Sequence, residues 1–207
     1  MRTVSDRPVP GFGLVSSAAA PVLLVGGWTV AAARQQGGFD SVERTISDLA
    51  AYGATDRWIM TTALAGLGIC HLTTAAALRD VAAPAGRAVL AAGGVTTVLV
   101  AVFPLPADGS GSAAHTLVAG TAFLALSLWP AFAVRRDGAP LVRPVPSTLA
   151  AATLLGLVGW FGFQLRADEG VGLAERVTAG TQAVWPLAVA GTTWVSALAA
   201  RRRRSQS

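Results

Sequence analysis

Long apolar runs alternate with short polar ones along almost the whole chain. Six apolar runs, at about 14–33, 58–78, 88–105, 115–134, 147–165 and 177–200, come close to the ~20 residues that a helix needs to cross a bilayer. The pattern predicts an all-α integral membrane protein: a six-transmembrane-helix bundle, with residues 1–207 as a single membrane domain. Pro21, Pro130 and Pro186 fall inside spans, where neighbouring helices satisfy the carbonyls that a proline frees. Gly66 and Gly68, Gly93 and Gly94, and the series Gly156, Gly159 and Gly162 predict close helix–helix approach. The first run follows Arg2 and Arg7 and ends in three alanines, as a signal peptide would. Its ~20 apolar residues exceed the usual 7–15, so it reads as a retained helix.

One polar connection has a pattern of its own. Residues 39–52, FDSVERTISDLAAY, are too polar to cross a bilayer but place Phe39, Val42, Ile46 and Leu49 at spacings of three and four. Glu43, Arg44, Ser47 and Asp48 gather on another side. Asp40 with Glu43 has the spacing of a capping box, and Gly53 follows as a stop. This predicts a short amphipathic interfacial helix after the first span, burying Ile46 and Leu49 and closing one mouth of the bundle.

Composition agrees with the membrane reading: 53% of residues are hydrophobic and 13% charged, against about 25% charged in soluble domains. All 16 basic residues are Arg. Eleven of them, with three acids, lie in the N-terminal tail, 79–87, 135–146 and the Arg201–Arg204 run; five, with eight acids, lie in the alternate connections. The positive-inside rule then predicts that both termini are cytoplasmic and that the interfacial helix is outside. The same distribution accounts for the high pI through membrane topology and points away from nucleic acid as a partner. The Arg201–Arg204 run is suited to anionic lipid, each Arg near such a surface contributing about 1 kcal/mol, and the closing SQS is expected to be unstructured. Abundant Ala, Gly and Arg without Lys suggest a high-GC bacterial genome, hence a multi-pass protein of the bacterial cytoplasmic (inner) membrane. The single cysteine, Cys70, excludes an intramolecular disulfide.

The predicted outer side collects the candidate chemistry. Glu43, Arg44, Ser47, Asp48 and Tyr52 come from the amphipathic stretch. Asp108 follows Phe103 and the rest of FPLP, His115 opens the fourth span, and Glu175 and Arg176 open the sixth. A carboxyl in a poorly hydrated pocket keeps its proton and can serve as an acid. Asp48 and Asp108 are the first candidates, then Glu43 and Glu175, with His115 or Arg176 orienting the acid or acting as base. Asp168 and Glu169 are expected to be solvated, and Asp56 to cap the second span. His71 lies some 20 Å along its helix from Trp58, which sets it apart from His115. A membrane-buried histidine is nonetheless a functional candidate. Trp160, Phe161 and Phe163 are expected to cluster near the outer end of the fifth span, with Trp185 in the outer half of the sixth. Aromatic faces beside an acid suit an apolar substrate that passes through a cation. Two His and one Cys make no structural zinc site, and no nucleotide loop, serine-hydrolase elbow, HExxH or DDxxD-like motif is present. No metal and no cofactor are expected.

At RTISDLAAYGATDRWIM, FPLP…D…H and GLAERV the chain resembles the domain-of-unknown-function-998 family of small six-helix membrane proteins. The pattern that the resemblance implies is Ser47-Asp48 after the first helix, Phe103-Pro104 ending the third, His115 opening the fourth, and Gly172, Glu175 and Arg176 at the entry to the last. In size and layout the chain is also similar to the small membrane-embedded terpene cyclases of actinobacteria, without a motif to carry that likeness. Two functions are therefore expected. One is proton-initiated terpene cyclisation of an apolar prenylated small molecule, in an outer-facing pocket with Ser47, Arg44, Tyr52, Phe103, Trp160, Phe161, Arg176 and Trp185 on the substrate. The alternative is a non-catalytic lipid-binding, transport or scaffold protein, whose partners are membrane lipids and whose acids are all paired with Arg or helix N-termini.

The topology is checked by cysteine accessibility: a Cys introduced at Ser205 is expected to label only after intact cells are permeabilised, and labelling from outside would reverse the orientation.

Overall fold

The computed structural model describes residues 9–108 and 110–204. The leading Arg2 and Arg7 and the closing residues 205–207 lie outside the described residues, and so does any statement about their order. Among the described residues the chain forms seven α-helices: α1 (Gly11–Ala33), α2 (Ile46–Ala50), α3 (Trp58–Ala77), α4 (Pro84–Val102), α5 (Ala113–Phe132), α6 (Pro144–Ala167) and α7 (Val171–Arg204). Single 3₁₀ turns follow α3 and precede α6. All but α2 are long and apolar enough to cross a membrane. The protein is an all-helical, multi-pass membrane protein, as its hydrophobic pattern predicts. Helices α4 and α6 start earlier than their apolar runs because Pro84 and Pro144 occupy the first helical turn, where a missing N–H costs nothing.

Consecutive spans pack as neighbours, α1 on α3, then α4, α5, α6 and α7, and α7 closes back onto α1. The core has two parts. One, around Trp129, Leu78 and Leu90, lies toward the end that bears the 3₁₀ turns; the other, around Leu24, Met60 and Leu49, lies toward α2. Lipid-facing hydroxyls are satisfied within their own helices: Thr29, Thr62, Thr73, Thr96, Thr121, Thr181 and Thr192 each donate to the carbonyl four residues earlier. In hydrocarbon, no water would do it for them.

The glycines divide into two groups. Gly68 on α3 and Gly94 on α4 face each other so closely that a Cβ on either falls 2.5–2.7 Å from the other's carbonyl oxygen. There the expected close approach is observed. Gly156, Gly159 and Gly162 behave otherwise, because a Cβ at each meets nothing within 4 Å. They give α6 a smooth open face and mediate no helix contact within the chain.

The amphipathic stretch is shorter and differently built than its periodicity predicts. Only Ile46–Ala50 is helical, and 41–44 is a turn. The capping box sits five residues later than Asp40–Glu43: Thr45 Oγ1 accepts from the Asp48 N–H at 3.1 Å, and the Asp48 carboxylate accepts from the Thr45 N–H at 2.8 Å. Asp40 instead holds the turn, accepting from the Val42 and Glu43 N–H groups. Ile46 and Leu49 are buried as expected, whereas Val42 is 48% exposed because it belongs to the turn. Asp56 does not cap α3; it pairs with Arg34 at 2.9 Å.

The two glycine groups predict opposite mutational outcomes. Gly68→Ala should lower stability by about 1–3 kcal/mol, the usual cost of overpacking. Gly159→Ala should be neutral or stabilise by about 0.5–1 kcal/mol through helix propensity. Thermal unfolding of both variants in one detergent reads the difference.

Candidate functional site

Helix α2 is held against the start of α7 by hydrogen bonds that only this local sequence permits. Gly172 leaves room for the Arg44 carbonyl, onto which a Cβ would fall. The Leu173 N–H donates to the Val42 carbonyl at 2.9 Å, and the Gly170 N–H donates to Glu43 Oε2 at 2.8 Å. Arg176 Nη1 donates to the carbonyls of Ser41, Arg44 and Gly172 at 2.8–2.9 Å. Its guanidinium stands 5.7 Å from the Phe39 ring and 5.9 Å from that of Trp28, while Arg44 covers Phe39 at 4.7 Å. Arg176 thus clamps the 41–44 turn.

Beneath this clamp lies Glu175, a carboxyl only 5% exposed. It accepts from the Ile46 N–H, the first orphan donor of α2. The Ser47 hydroxyl, next on α2, lies 3.1 Å from His115 Nε2 and lines the same spaces as this carboxyl. His115 is buried at the start of α5, where Ser112 caps the helix through the His115 N–H. His115 Nδ1 lies 2.8 Å from the Phe103 carbonyl, to which it can only donate. The neutral ring therefore presents Nε2 as an acceptor toward Ser47. The resulting chain runs from carbonyl to imidazole to hydroxyl and ends beside the Glu175 carboxyl.

Two spaces meet at Ser47 and Glu175, and His115 borders one of them. A cleft of about 400 Å³ runs between α5 and α6, lined by Ser47, His115 and Glu175 at its closed end and by Gly120, Phe123, Leu124, Phe161, Gly162 and Leu165 along its walls. Gly120, Leu124, Gly162 and Leu165 are exposed, so the cleft opens on the lateral wall of the bundle. Phe123 and Phe161 face across it with ring centroids 5.2 Å apart. On the other side, a cavity of about 60 Å³ reaches into the bundle from Ser47 and Glu175 to Thr97, Gln182 and His71.

The predicted site residues therefore separate. Ser47, His115 and Glu175 come together, and Phe103 joins them through its carbonyl; its ring is 42% exposed. Glu43, Arg44, Asp48 and Tyr52 instead line a polar depression of about 700 Å³ above α2. Asp48 is committed to capping, with Arg44 Nε 3.9 Å away, and the Tyr52 ring lies under Arg57. Asp108 stands exposed in its loop, where hydrogen bonds from the Ser110 hydroxyl and N–H hold its carboxyl below the usual carboxylate range and keep it ionised at neutral pH. Neither Asp48 nor Asp108 reaches the cleft. Asp168 and Glu169 are exposed, as expected. The aromatic cluster on α6 does not form: successive residues point about 100° apart, so Phe161 enters the cleft while Trp160 and Phe163 face outward. Trp185 lies too far along α7 and packs against the core part around Trp129. His71 does not touch His115, yet it shares the inner cavity with Ser47 and Glu175. Gln182 escaped the sequence reading, although Glu175, Thr178 and Gln182 fall at i, i+3 and i+7 on one face of α7. Its amide donates to the Phe123 carbonyl and to Ser127, tying α7 to α5.

Six apolar spans, with a buried carboxyl beside a hydroxyl–imidazole pair at one end of them, define a multi-pass membrane protein with a polar site at the end of an apolar cleft. The sequence model of the family described as protein of unknown function (DUF998) matches residues 18–192, and the chain belongs to that family. No curated protein matches the chain, and no solved structure does.

Thr45→Ala should cost about 1 kcal/mol, the usual value of an N-cap hydroxyl, and should loosen α2. Thermal unfolding measures the first effect; faster proteolysis after Arg44 reports the second.

Proposed function

We propose that this protein is a membrane-embedded enzyme of the bacterial cytoplasmic membrane, acting on an isoprenoid or prenylated lipid-like substrate by proton-initiated cyclisation, with Glu175 as the acid. The observation that carries the reading is the setting of Glu175. Asp40 and Asp48 serve turns and caps, and Asp56 pairs with Arg34; Glu175 also accepts from the first N–H of α2, but it alone of these acids faces an apolar cleft that opens on the lateral wall. A lipid-like chain can enter such a cleft from the bilayer without passing through water. With both termini cytoplasmic, the site is at the outer face.

The chemistry balances within the residues present. The Glu175 O–H breaks as its proton adds to an alkene carbon or epoxide oxygen of the substrate. The electron pairs of further double bonds close the rings, and the last cation loses a proton to His115 Nε2. Ser47 then passes a proton from the imidazole to the carboxylate, which restores the acid. Phe123 and Phe161 line the cleft and supply aromatic rings beside the intermediate cation, and the apolar walls keep water from quenching it. A second reading, acyl transfer with Ser47 as nucleophile and His115 as base, is favoured by the 3.1 Å Ser47–His115 contact alone.

Turnover of prenylated aromatics and their epoxides by detergent-purified protein tests both readings. Glu175→Gln should lose 10²–10⁴-fold in rate, about 3–5 kcal/mol of barrier, while remaining folded. Asp48→Asn and Asp108→Asn should keep turnover within a few-fold. A folded Glu175→Gln at wild-type rate would sink the acid assignment. Ester hydrolysis abolished by Ser47→Ala would favour acyl transfer. Tight binding of prenyl lipids with no turnover would leave a lipid-binding protein.

A further inference from the structure

The inner cavity contains a buried group that the proposed chemistry does not use. His71 is 1% exposed, and neither ring nitrogen has a hydrogen-bond partner in the protein. A neutral imidazole has one donor and one acceptor, and leaving both unmet in the interior is costly. The cavity that it lines is apolar over most of its wall, but Thr97, Gln182, Ser47 and Glu175 also border it. Its volume of about 60 Å³, at ~10–15 Å³ for each water, accommodates about four to six waters.

The dimensions match the gap between the two ends. Helices α3 and α7 both begin at the α2 end of the bundle. His71 is ~20 Å along α3 from Trp58, and Glu175 is ~6 Å along α7 from Val171, at 1.5 Å per residue. The difference in depth, ~14 Å, is spanned by about five hydrogen bonds of ~2.8 Å, that is by about four waters between the two groups.

We propose that this cavity holds a chain of hydrogen-bonded waters joining Glu175 to His71, and that the two groups exchange a proton along it. In the forward step the carboxyl O–H breaks, each water receives one proton and passes on another, and an N–H forms at the free His71 nitrogen. The carboxylate and imidazolium then face each other across the waters, and the reverse step restores the acid. The inference rests on Glu175 being the proton-exchanging acid proposed above. Its test reads the imidazole directly, so it can fail while turnover stands, or stand while turnover fails.

The chain has two histidines, so ¹⁵N-histidine labelling in lipid nanodiscs gives two rings, and His115→Gln assigns His71 by elimination. Cross peaks between water and the His71 ring are expected, and the His71 nitrogen shifts should move in Glu175→Gln. Ala122→Leu, which fills the cavity from its wall and leaves both ends intact, should slow exchange of the His71 ring with water by about tenfold or more, as loss of solvent access does for a buried group. A His71 ring with no water cross peaks would overturn the proposal. So would ring shifts identical with and without the Glu175 carboxyl, or exchange unaffected by Ala122→Leu.

Discussion

The hydrogen bond from the Ile46 N–H to the Glu175 carboxyl is the constraint on which the site depends. A five-residue helix is too short to be stable alone, so α2 needs tertiary partners. It obtains them by offering its first orphan N–H to a carboxyl on another helix. The same bond gives a buried carboxyl one hydrogen-bond donor, which lowers the cost of keeping it away from water. It also fixes Ser47, one residue on, between that carboxyl and His115. The docking of α2, the placement of the Glu175 carboxyl and the position of Ser47 are thus set by a single contact between residues 129 positions apart.

The clamp around that contact explains the unusual density of Gly and Arg at the start of α7. Gly172 admits the Arg44 carbonyl, and Arg176 gathers three carbonyls with one nitrogen. Glu175 and Arg176 are adjacent in sequence but face different sides of the helix. The arginine therefore secures the turn and leaves the acid free to face the cleft.

The six spans were legible because bilayer thickness imposes a length on each apolar run, and a length survives any detail of packing. The burial of Ile46 and Leu49 was legible for a similar reason, since periodicity reports a face. What the sequence concealed were choices between equivalent local patterns. Asp40–Glu43 and Thr45–Asp48 both have cap spacing, and only the docking of Gly172 and Leu173 onto the turn decides that the second one caps. The choice among Asp48, Asp108 and Glu175 was hidden in the same way. All three lie near helix ends, and which carboxyl points inward depends on helix rotation and on what caps what. The aromatic residues of α6 misled because adjacency in sequence is not adjacency on a helix.

Helix α6 is the least buried of the spans, and three of its glycines show no side chain to any neighbour within the chain. Along that face the wall of the protein is bare backbone bordered by acyl chains. Of the three, Gly162 borders the α5–α6 cleft, beside Val158, Phe161 and Leu165, and at that point the wall presents no side chain. Whatever borders that glycine therefore completes the wall, and the surrounding medium is part of the boundary of the cleft.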